Sequence, residues 1–285
     1  MTVSPGTERS WSPSPITDDH IHLDPANGRG IEAAKDFLRA GGTHVFLVCK
    51  PSESFGVLPG SGEDFRSVYE GTIRVAEGVT AATGLVVYTV LGVHPAEMTR
   101  LAATGMTPGD AAAVMMDGLD LAGRYVRDGR AVALKSGRPH YEVPEEVWEA
   151  SNEVLFHALG LGSDLSCAVQ IHAESGPCAD VAGLARKAGL DPERVVKHYS
   201  VPETPLTPSM LASHPAIPAM CREGRRFTME SDYMDENSRP GAVIGPKSVP
   251  RYTRKLFEAG QITVEDLWRI HSDTPSRVYG VDIGL

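Results

Sequence analysis

Short apolar segments of strand length alternate with segments of helical periodicity along most of this 285-residue chain. Residues 43–49 and 85–91 are near-continuous apolar runs, as expected for strands buried on both faces of a parallel sheet. Helical spacing follows them at 61–83 and 107–127, and the sequence has no glycine-rich phosphate loop of the GxGxxG type. The alternation therefore predicts an α/β protein with a single (β/α)8 TIM barrel over residues 16–285, since such barrels take about 250 residues.

The charge balance restricts the class of partner. The net charge is −10, from 27 basic and 37 acidic residues, and the basic residues form no run. Proteins that bind nucleic acid usually carry a clustered basic footprint. The composition therefore argues against nucleic acid as the partner, whereas a small substrate, including an anion held by metal ions, stays open.

The remaining composition indicates the compartment. Residues 1–15 are rich in Pro, Ser and Thr and lack the apolar stretch of a signal peptide, which predicts a flexible N-terminal arm. No apolar run approaches the ~20 residues that span a membrane, so we expect no membrane association. The four cysteines are scattered without a CxxC pair, as in reduced cytoplasmic proteins.

Histidines follow several of the predicted strands. His20 and His22 are separated by one residue, so in a strand both imidazoles point to the same face. This pair alone would be read equally well as two surface histidines. However, the ends of later predicted strands also carry candidate ligands, and the active sites of barrels lie at the carboxyl ends of their strands. These later candidates are Lys135 after the fourth strand, His172 after the fifth, His198 after the sixth and Asp232 after the eighth. The pattern predicts a transition-metal site.

This constellation resembles the amidohydrolase superfamily and, within it, the TatD-related metal-dependent hydrolases. The resemblance covers nearly the whole chain after the N-terminal arm. The matching segments are Asp18-Asp19-His20-Ile21-His22, Gly92-Val93-His94-Pro95, Gly137-Arg138-Pro139-His140, Ile171-His172-Ala173-Glu174, Lys197-His198, Glu230-Ser231-Asp232 and Thr274-Pro275-Ser276-Arg277-Val278-Tyr279-Gly280.

The resemblance implies a binuclear centre. It assigns His20, His22 and Asp232 to one divalent ion and His172 and His198 to the other. In this scheme Asp232 is also the catalytic residue that orients the attacking water and accepts its proton. Zinc is the first choice of metal, with Mn, Fe, Co or Ni as alternatives for such ligands.

Lys135 departs from the family pattern, because TatD-like proteins typically carry a metal-bridging glutamate at this point. An ammonium group between two cations is electrostatically unacceptable. One resolution is that Lys135 reacts with CO2 and becomes a bridging carbamate, as in phosphotriesterase-like and dihydroorotase-like relatives. Alternatively, the charged amine takes the place of one metal ion, or the site has decayed. We favour the carbamate, since burial beside cations favours the neutral amine.

Residues near the strand ends are candidates for binding the substrate. Arg138 is expected either to bind a carboxylate or phosphate or to pair with a structural acidic residue. The other candidates are His140 and Tyr141 after the fourth strand, His94 after the third, Glu174 after the fifth and Tyr233 after the eighth.

The sequence is compatible with three functions. The leading one is metal-dependent hydrolysis of a small molecule at an amide, ester, lactone or related bond. The second is a TatD-like nuclease that acts on phosphodiesters, and the third is a metal-dependent scaffold or binding protein. The oligomeric state is not visible in the sequence, and a homo-oligomer stays possible.

Overall fold

A single sheet of parallel strands forms the centre of the molecule. The computed structural model describes residues 14–238 and 244–285. Within them, nine strands are ordered β8-β7-β6-β5-β4-β3-β2-β1-β9, and every neighbouring pair is parallel. The strands are β1 (Thr17–His22), β2 (His44–Val48), β3 (Val86–Gly92), β4 (Ala133–Gly137), β5 (Ala168–His172), β6 (Val195–Lys197), β7 (Thr207–Leu211), β8 (Thr228–Glu230) and β9 (Tyr233–Met234).

The sheet curls until its eighth strand meets the first. β8 and β9 are two parts of that eighth strand, interrupted at Ser231 and Asp232; β8 pairs with β7, whereas β9 pairs with β1. At the interruption the Ser231 N–H donates to Asp18 Oδ1 at 3.0 Å, and the Asp232 N–H donates to the His20 carbonyl at 3.0 Å. The predicted (β/α)8 barrel architecture is therefore confirmed.

Helices follow the strands and cover the outside of the sheet. One of them, α3 between β3 and β4, was not among the predicted elements. The helices are α1 (Ile31–Arg39), α2 (Phe65–Thr83), α3 (Ala96–Ala103), α4 (Pro108–Arg127), α5 (Glu145–Asp164), α6 (Ala179–Lys187), α7 (Ile217–Arg222), α8 (Ser248–Glu258), α9 (Val264–Trp268) and α10 (Thr274–Tyr279). A π-helical turn at Arg269–Asp273 joins the last two.

The end of the chain fills the amino-terminal end of the barrel. Tyr279 and Ile283 are buried with Phe46, Ala133 and Ala168, of which the last two begin their strands. The rings of Tyr279 and Phe46 stack with their centroids 4.1 Å apart. Because apolar side chains fill this end of the barrel, a functional site is expected at the opposite end, where the carboxyl ends of the strands carry the histidines.

Two glycines allow the strands to approach one another closely beside the histidines. Gly92 ends β3 with φ +154°, and Gly137 ends β4 with φ +150°. A Cβ atom at position 92 would lie 2.0 Å from the Lys135 carbonyl oxygen, and one at position 137 would lie 1.8 Å from that of His172. Only glycine fits there, which explains why both matched segments begin with this residue.

The N-terminal arm predicted at 1–15 lies mostly outside the described residues. Ser14 and Pro15, the two that are described, are buried. All four cysteines are unpaired and buried. In the part of the chain that the structure describes, no helix combines the length and apolar character needed to cross a membrane.

His271 connects the C-terminal helices to the start of β1. The ring is fully buried. Its Nδ1 accepts from the Thr17 N–H at 3.2 Å, and its Nε2 lies 3.1 Å from the hydroxyl of Thr253. Burial lowers the pKa of His271 to about 4, and a bond from the same ring nitrogen to the Thr17 carbonyl, 3.2 Å away, would only partly oppose this. His271 is therefore neutral in the folded protein at neutral pH.

This burial predicts an acid-dependent loss of stability. Between pH 6.5 and 4, His271 binds a proton in the unfolded protein but not in the folded protein. The free energy of unfolding therefore falls as the pH decreases. We expect a loss of about 3 kcal/mol from this residue by pH 4. Urea unfolding of the metal-free protein at pH 7, 5.5 and 4 measures it. His271→Gln should flatten the pH dependence, and an unchanged slope in that variant would contradict the assignment.

Candidate metal centre

Four imidazoles and one carboxylate converge at the carboxyl ends of the strands. The Nε2 atoms of His20 and His22 lie 3.1 Å apart, and His172 Nδ1 lies 2.7 Å from His198 Nε2. The rings of His20 and His198 stack at 4.1 Å, which joins the two pairs into one cluster. Asp232 Oδ1 lies 3.8 Å from His20 Nε2. The structure thus brings together all five residues that were predicted as imidazole or carboxylate ligands.

The donor geometry fits a transition metal. Two nitrogens bound tetrahedrally to zinc at 2.0–2.1 Å lie about 3.4 Å apart, close to the spacing of the His20 and His22 nitrogens. Ligand atoms of His20, His198 and Asp232 all lie within 4.8 Å of one another. The ring of His22 is oriented from behind, because its Nδ1 donates to the Val48 carbonyl at 2.8 Å and leaves Nε2 facing the cluster.

Burial keeps these imidazoles neutral, which is the form that binds metal ions. Burial, together with the positive charge of Lys135, lowers the pKa of His22 to about 3. Burial also lowers the pKa of His20, His172 and His198 well below the usual value, with Lys135 contributing in each case.

Lys135 brings a buried amine to the same cluster. Lys135 is the middle residue of β4 and is 1% exposed. Burial lowers the pKa of Lys135 to about 8, against the opposing effect of Asp232. Among the described residues no hydrogen bond or ion pair to its Nζ is found. A buried amine without a carboxylate partner is costly as an ammonium ion, so this environment increases the fraction of the neutral amine.

Asp232 has an unusual backbone conformation. It lies at the interruption of the eighth strand with φ +45°, in the left-handed region that aspartate tolerates better than most residues. Its side chain is 15% exposed, whereas that of His20 is 1% exposed. The Asp232 carboxylate therefore lies on the more open side of the cluster, where a substrate would approach.

Arg138 pairs with acidic residues of the protein, which is the second of the two expectations for this residue. Its guanidinium donates to Glu174 Oε2 at 2.8 Å, to Asp180 Oδ2 at 2.7 Å and to Asn152 Oδ1 at 3.1 Å. The ring of Trp148 lies 4.7 Å from its central carbon, and the residue is only 3% exposed. Its donors are used within the protein, and so are the oxygens of Glu174, which leaves no free guanidinium for a substrate anion.

Two other predicted substrate-binding residues lie beside the cluster. His140 Nδ1 is 2.8 Å from His172 Nε2, and the ring of His94 is 4.7 Å from that of His172. Tyr141 is 43% exposed at the rim, and its hydroxyl lies 2.8 Å from Thr99 Oγ1. Substrate binding by these residues stays a prediction.

Tyr233 has a different environment from the one that its loop position suggested. It belongs to β9, and its hydroxyl donates to Asp235 Oδ1 at 2.9 Å. Asp235 is fully buried and also accepts from the backbone N–H groups of Asp24, Arg29 and Gly30 at 2.7–2.9 Å. These bonds connect the loop after β1 to the loop after β9. Arg239, further along the loop after β9, lies outside the described residues.

Two residues that support the cluster were not identified from the sequence. Glu230 Oε1 lies 3.4 Å from His198 Nδ1 and accepts from the Tyr199 N–H at 2.7 Å. Gln170 Nε2 donates to the Asp19 carbonyl at 2.8 Å, and its side chain raises the pKa of His20 against the larger effect of burial. Gln170 precedes the predicted ligand His172 by two residues within β5, so the same-face rule for strands could have found it. The rule does not extend from Glu230 to Asp232, because the strand is interrupted after Glu230.

Comparison with known proteins shows which family and which relatives the chain resembles. A model of the TatD-related DNase family matches residues 17–280. An uncharacterised protein of Methanocaldococcus jannaschii is 36% identical over 283 residues, covering 95% of this chain and 98% of that protein.

Solved structures share the fold. The phosphotriesterase homology protein of Escherichia coli, complexed with phosphate in its active site, has a TM-score of 0.61 and 13% identity, with 94% of this chain and 100% of that chain covered. The organophosphorus hydrolase of Deinococcus radiodurans has a TM-score of 0.62 and 15% identity, with coverage of 94% and 92%. At these identities the likeness establishes the barrel and nothing further.

Proposed function

The chain belongs to the TatD-related DNase family of metal-dependent hydrolases, and on that premise we propose that it hydrolyses a small-molecule amide, ester, lactone or related bond at a binuclear centre. The observation that carries the proposal is the convergence of four neutral imidazoles, a buried lysine and an aspartate at the open end of the barrel. Divalent ions bound there, zinc being our first choice, would make water more acidic and polarise the bond under attack.

The proposed ligands divide into two sets. His20, His22 and Asp232 would hold one ion, and His172 and His198 the other. The 3.1 Å spacing of the His20 and His22 nitrogens supports the first set, since it is close to that of two zinc ligands. His172 and His198 are the second neighbouring pair, and their nitrogens, 2.7 Å apart, would have to separate to bind one ion.

Lys135 would join the two sets as a carbamate. Its neutral amine forms a nitrogen–carbon bond to CO2 and releases one proton, so a potential cation becomes an anion with two oxygen donors. The low pKa of Lys135, about 8, supports this reaction because it makes the neutral amine available near neutral pH. An ammonium that remains charged and takes the place of one ion is the alternative.

Asp232 would perform the proton transfer. The exposure of its carboxylate, greater than that of His20, supports this role, in which it would orient the attacking water, accept its proton and pass that proton to the leaving group.

The ion pairs of the open end favour a small molecule over a polyanion. Lys50 follows β2 and donates to Asp24 at 2.7 Å, while Arg100 on α3 pairs with Glu97 at 3.0 Å. Arg138 after β4 is also consumed by ion pairs. A nucleic-acid backbone is usually bound by free lysines and arginines, and these three are already neutralised.

A nuclease is the second candidate, and one surface feature favours it. Arg29, Arg39 and Lys247 all contact the single carboxylate of Asp36, at 2.9, 2.5 and 3.3 Å, so this cluster carries a positive balance. The cluster lies between the loop after β1 and the start of α8, and its cations could bind the phosphates of a nucleic acid.

Metal loading and turnover test the proposal together. The chelated protein should be stabilised when zinc or manganese is added, by about 4 kcal/mol at 1,000 times the dissociation constant. It should then hydrolyse members of an ester, lactone and amide panel, with His198→Asn impaired and His214→Gln, outside the cluster, unaffected. Metal binding without turnover of any of these would indicate a binding protein. DNA cleavage that weakens steeply with salt would instead support the nuclease.

A further inference from the structure

A groove opens beside the candidate metal centre. It is lined by His140, Tyr141, Glu142, Val143, Trp148 and Glu174 and has a volume of about 560 Å³. We propose that this groove, called here the α5 groove, binds a flat organic group with a positive charge, as the part of the substrate that extends away from the reacting bond. The inference rests on the proposed hydrolase function for the direction of the substrate.

The position of the α5 groove connects it to the metal centre. His140 belongs to the groove, and its Nδ1 lies 2.8 Å from Nε2 of His172, one of the clustered imidazoles. A substrate whose scissile bond lies at the cluster can therefore extend one end past His140. Tyr141, the next residue, also lines the groove and is 43% exposed.

The walls of the α5 groove suit a flat group. Tyr141, Trp148 and His140 present rings, and Val143 adds an apolar surface. The rings of His140 and Tyr141 are nearly perpendicular, with centroids 5.2 Å apart, so they form two sides of a corner. Aromatic faces attract ammonium and guanidinium groups as well as flat rings.

The charge of the α5 groove is negative. No lysine or arginine occurs between Arg138 and Arg186, a stretch that contains the loop after β4, α5 and β5. The guanidinium of Arg138 is 3% exposed and is covered by ion pairs with Glu174 and Asp180. Glu142 is exposed at the rim, and no ion pair to it is found among the described residues.

The first turns of α5 extend this negative field. Glu145, Glu146 and Glu149 are all exposed there. The adjacent cation on α3, Arg100, is paired with Glu97 and with Glu53. Among the described side chains, an anionic group in the α5 groove would meet several carboxylates and no unpaired lysine or arginine, whereas a cationic group would be attracted.

Binding of three matched phenols to the zinc-loaded protein tests the inference without requiring turnover. The probes are (3-hydroxyphenyl)trimethylammonium, its uncharged isostere 3-tert-butylphenol and 3-hydroxybenzenesulfonate. We expect the dissociation constant of the ammonium compound to be at least about fivefold lower than that of the tert-butyl compound, with the sulfonate weakest. Calorimetry or ligand-observed NMR at low salt measures all three.

Variants then locate the effect. Glu142→Gln should weaken binding of the ammonium probe severalfold and leave the tert-butyl probe unchanged. Glu153→Gln, further along the exposed side of α5 and outside the groove, should change neither. Equal affinities for the three probes, a preference for the sulfonate or indifference to Glu142→Gln would overturn the inference.

The acetate esters of the same phenols separate this inference from the proposed function. If the protein hydrolyses them, kcat/KM should follow the order ammonium, tert-butyl, sulfonate, and equal values would count against the α5 groove as a selective site. If none of the esters is hydrolysed while the ammonium phenol still binds selectively, esterase activity is refuted and the charge selectivity stands.

Discussion

Replacement of Lys135 by alanine is expected to lower kcat/KM more than about 100-fold, since loss of even an outer partner of a metal ligand costs 10–100-fold. The variant should also bind only one metal ion, because the oxygens that would join the two histidine pairs are gone. Elemental analysis of the purified protein and steady-state kinetics measure these effects. The free energy of unfolding of the metal-free variant should not fall by the amount typical of a lost buried ion pair, as the Lys135 amine has no partner in the described residues.

The control for this prediction restores a carboxylate at the same position. Lys135→Glu introduces the residue that TatD-like proteins typically carry there, so it should retain two ions and measurable turnover. Depletion of CO2 should reduce the activity of the native protein but leave that of Lys135→Glu unchanged, and acetate or propionate should partly rescue Lys135→Ala. Two bound ions and full activity in Lys135→Ala would show that the lysine does not bridge them.

The sequence was sufficient for the barrel and for the positions of the clustered residues because both depend on local periodicity. Buried parallel strands are read as apolar runs, and the residue at which each run stops lies at the same end of the barrel. His172 and His198 are therefore brought together by β5 and β6 although 26 residues separate them. The spacing rule for strands also placed the rings of His20 and His22 on one face, as the 3.1 Å contact requires.

The partners of Arg138 could not be predicted from the sequence. Glu174 and Asp180 are 36 and 42 residues away, and nothing in their spacing distinguishes them from the other acidic residues of the segment. The same holds for Tyr233, since its bond to Asp235 depends on how Asp235 is fixed by the backbone of residues 24–30. Side chains on loops are oriented by long-range contacts, which periodicity does not contain.

The interruption of the eighth strand was also invisible in the sequence, and it has a consequence for the site. The sequence predicts an eighth strand over 226–231 that ends before Asp232, whereas in the structure β8 covers Thr228–Glu230 and the strand resumes as β9 at Tyr233. The left-handed backbone of Asp232 in between is held by the bond from its N–H to the His20 carbonyl. Such a conformation persists only where the surroundings fix it, and here it turns the carboxylate towards the histidines.

Substitution of Asp232 by asparagine is the most direct test of the proposed proton transfer. Asparagine keeps the shape of the side chain and one oxygen donor but cannot accept a proton, so kcat should fall by about 10²–10⁴-fold. Metal content and thermal stability should change little. Asp120→Asn, which alters a carboxylate on α4 far along the chain from the cluster, should leave kcat unchanged. Full turnover by Asp232→Asn with both ions bound would eliminate this residue as the base.

The pH dependence distinguishes a base from a residue that only holds the metal. Burial raises the pKa of Asp232 to about 6, and the neighbouring Lys135 opposes the shift. Bound cations would lower this pKa further, so in the native protein kcat/KM should decline as the pH falls through a value at or below 6. Protonation removes the acceptor, which gives the decline its sign. The residual activity of Asp232→Asn should lack this acidic limb while keeping the same metal occupancy, because a group that no longer ionises cannot impose it.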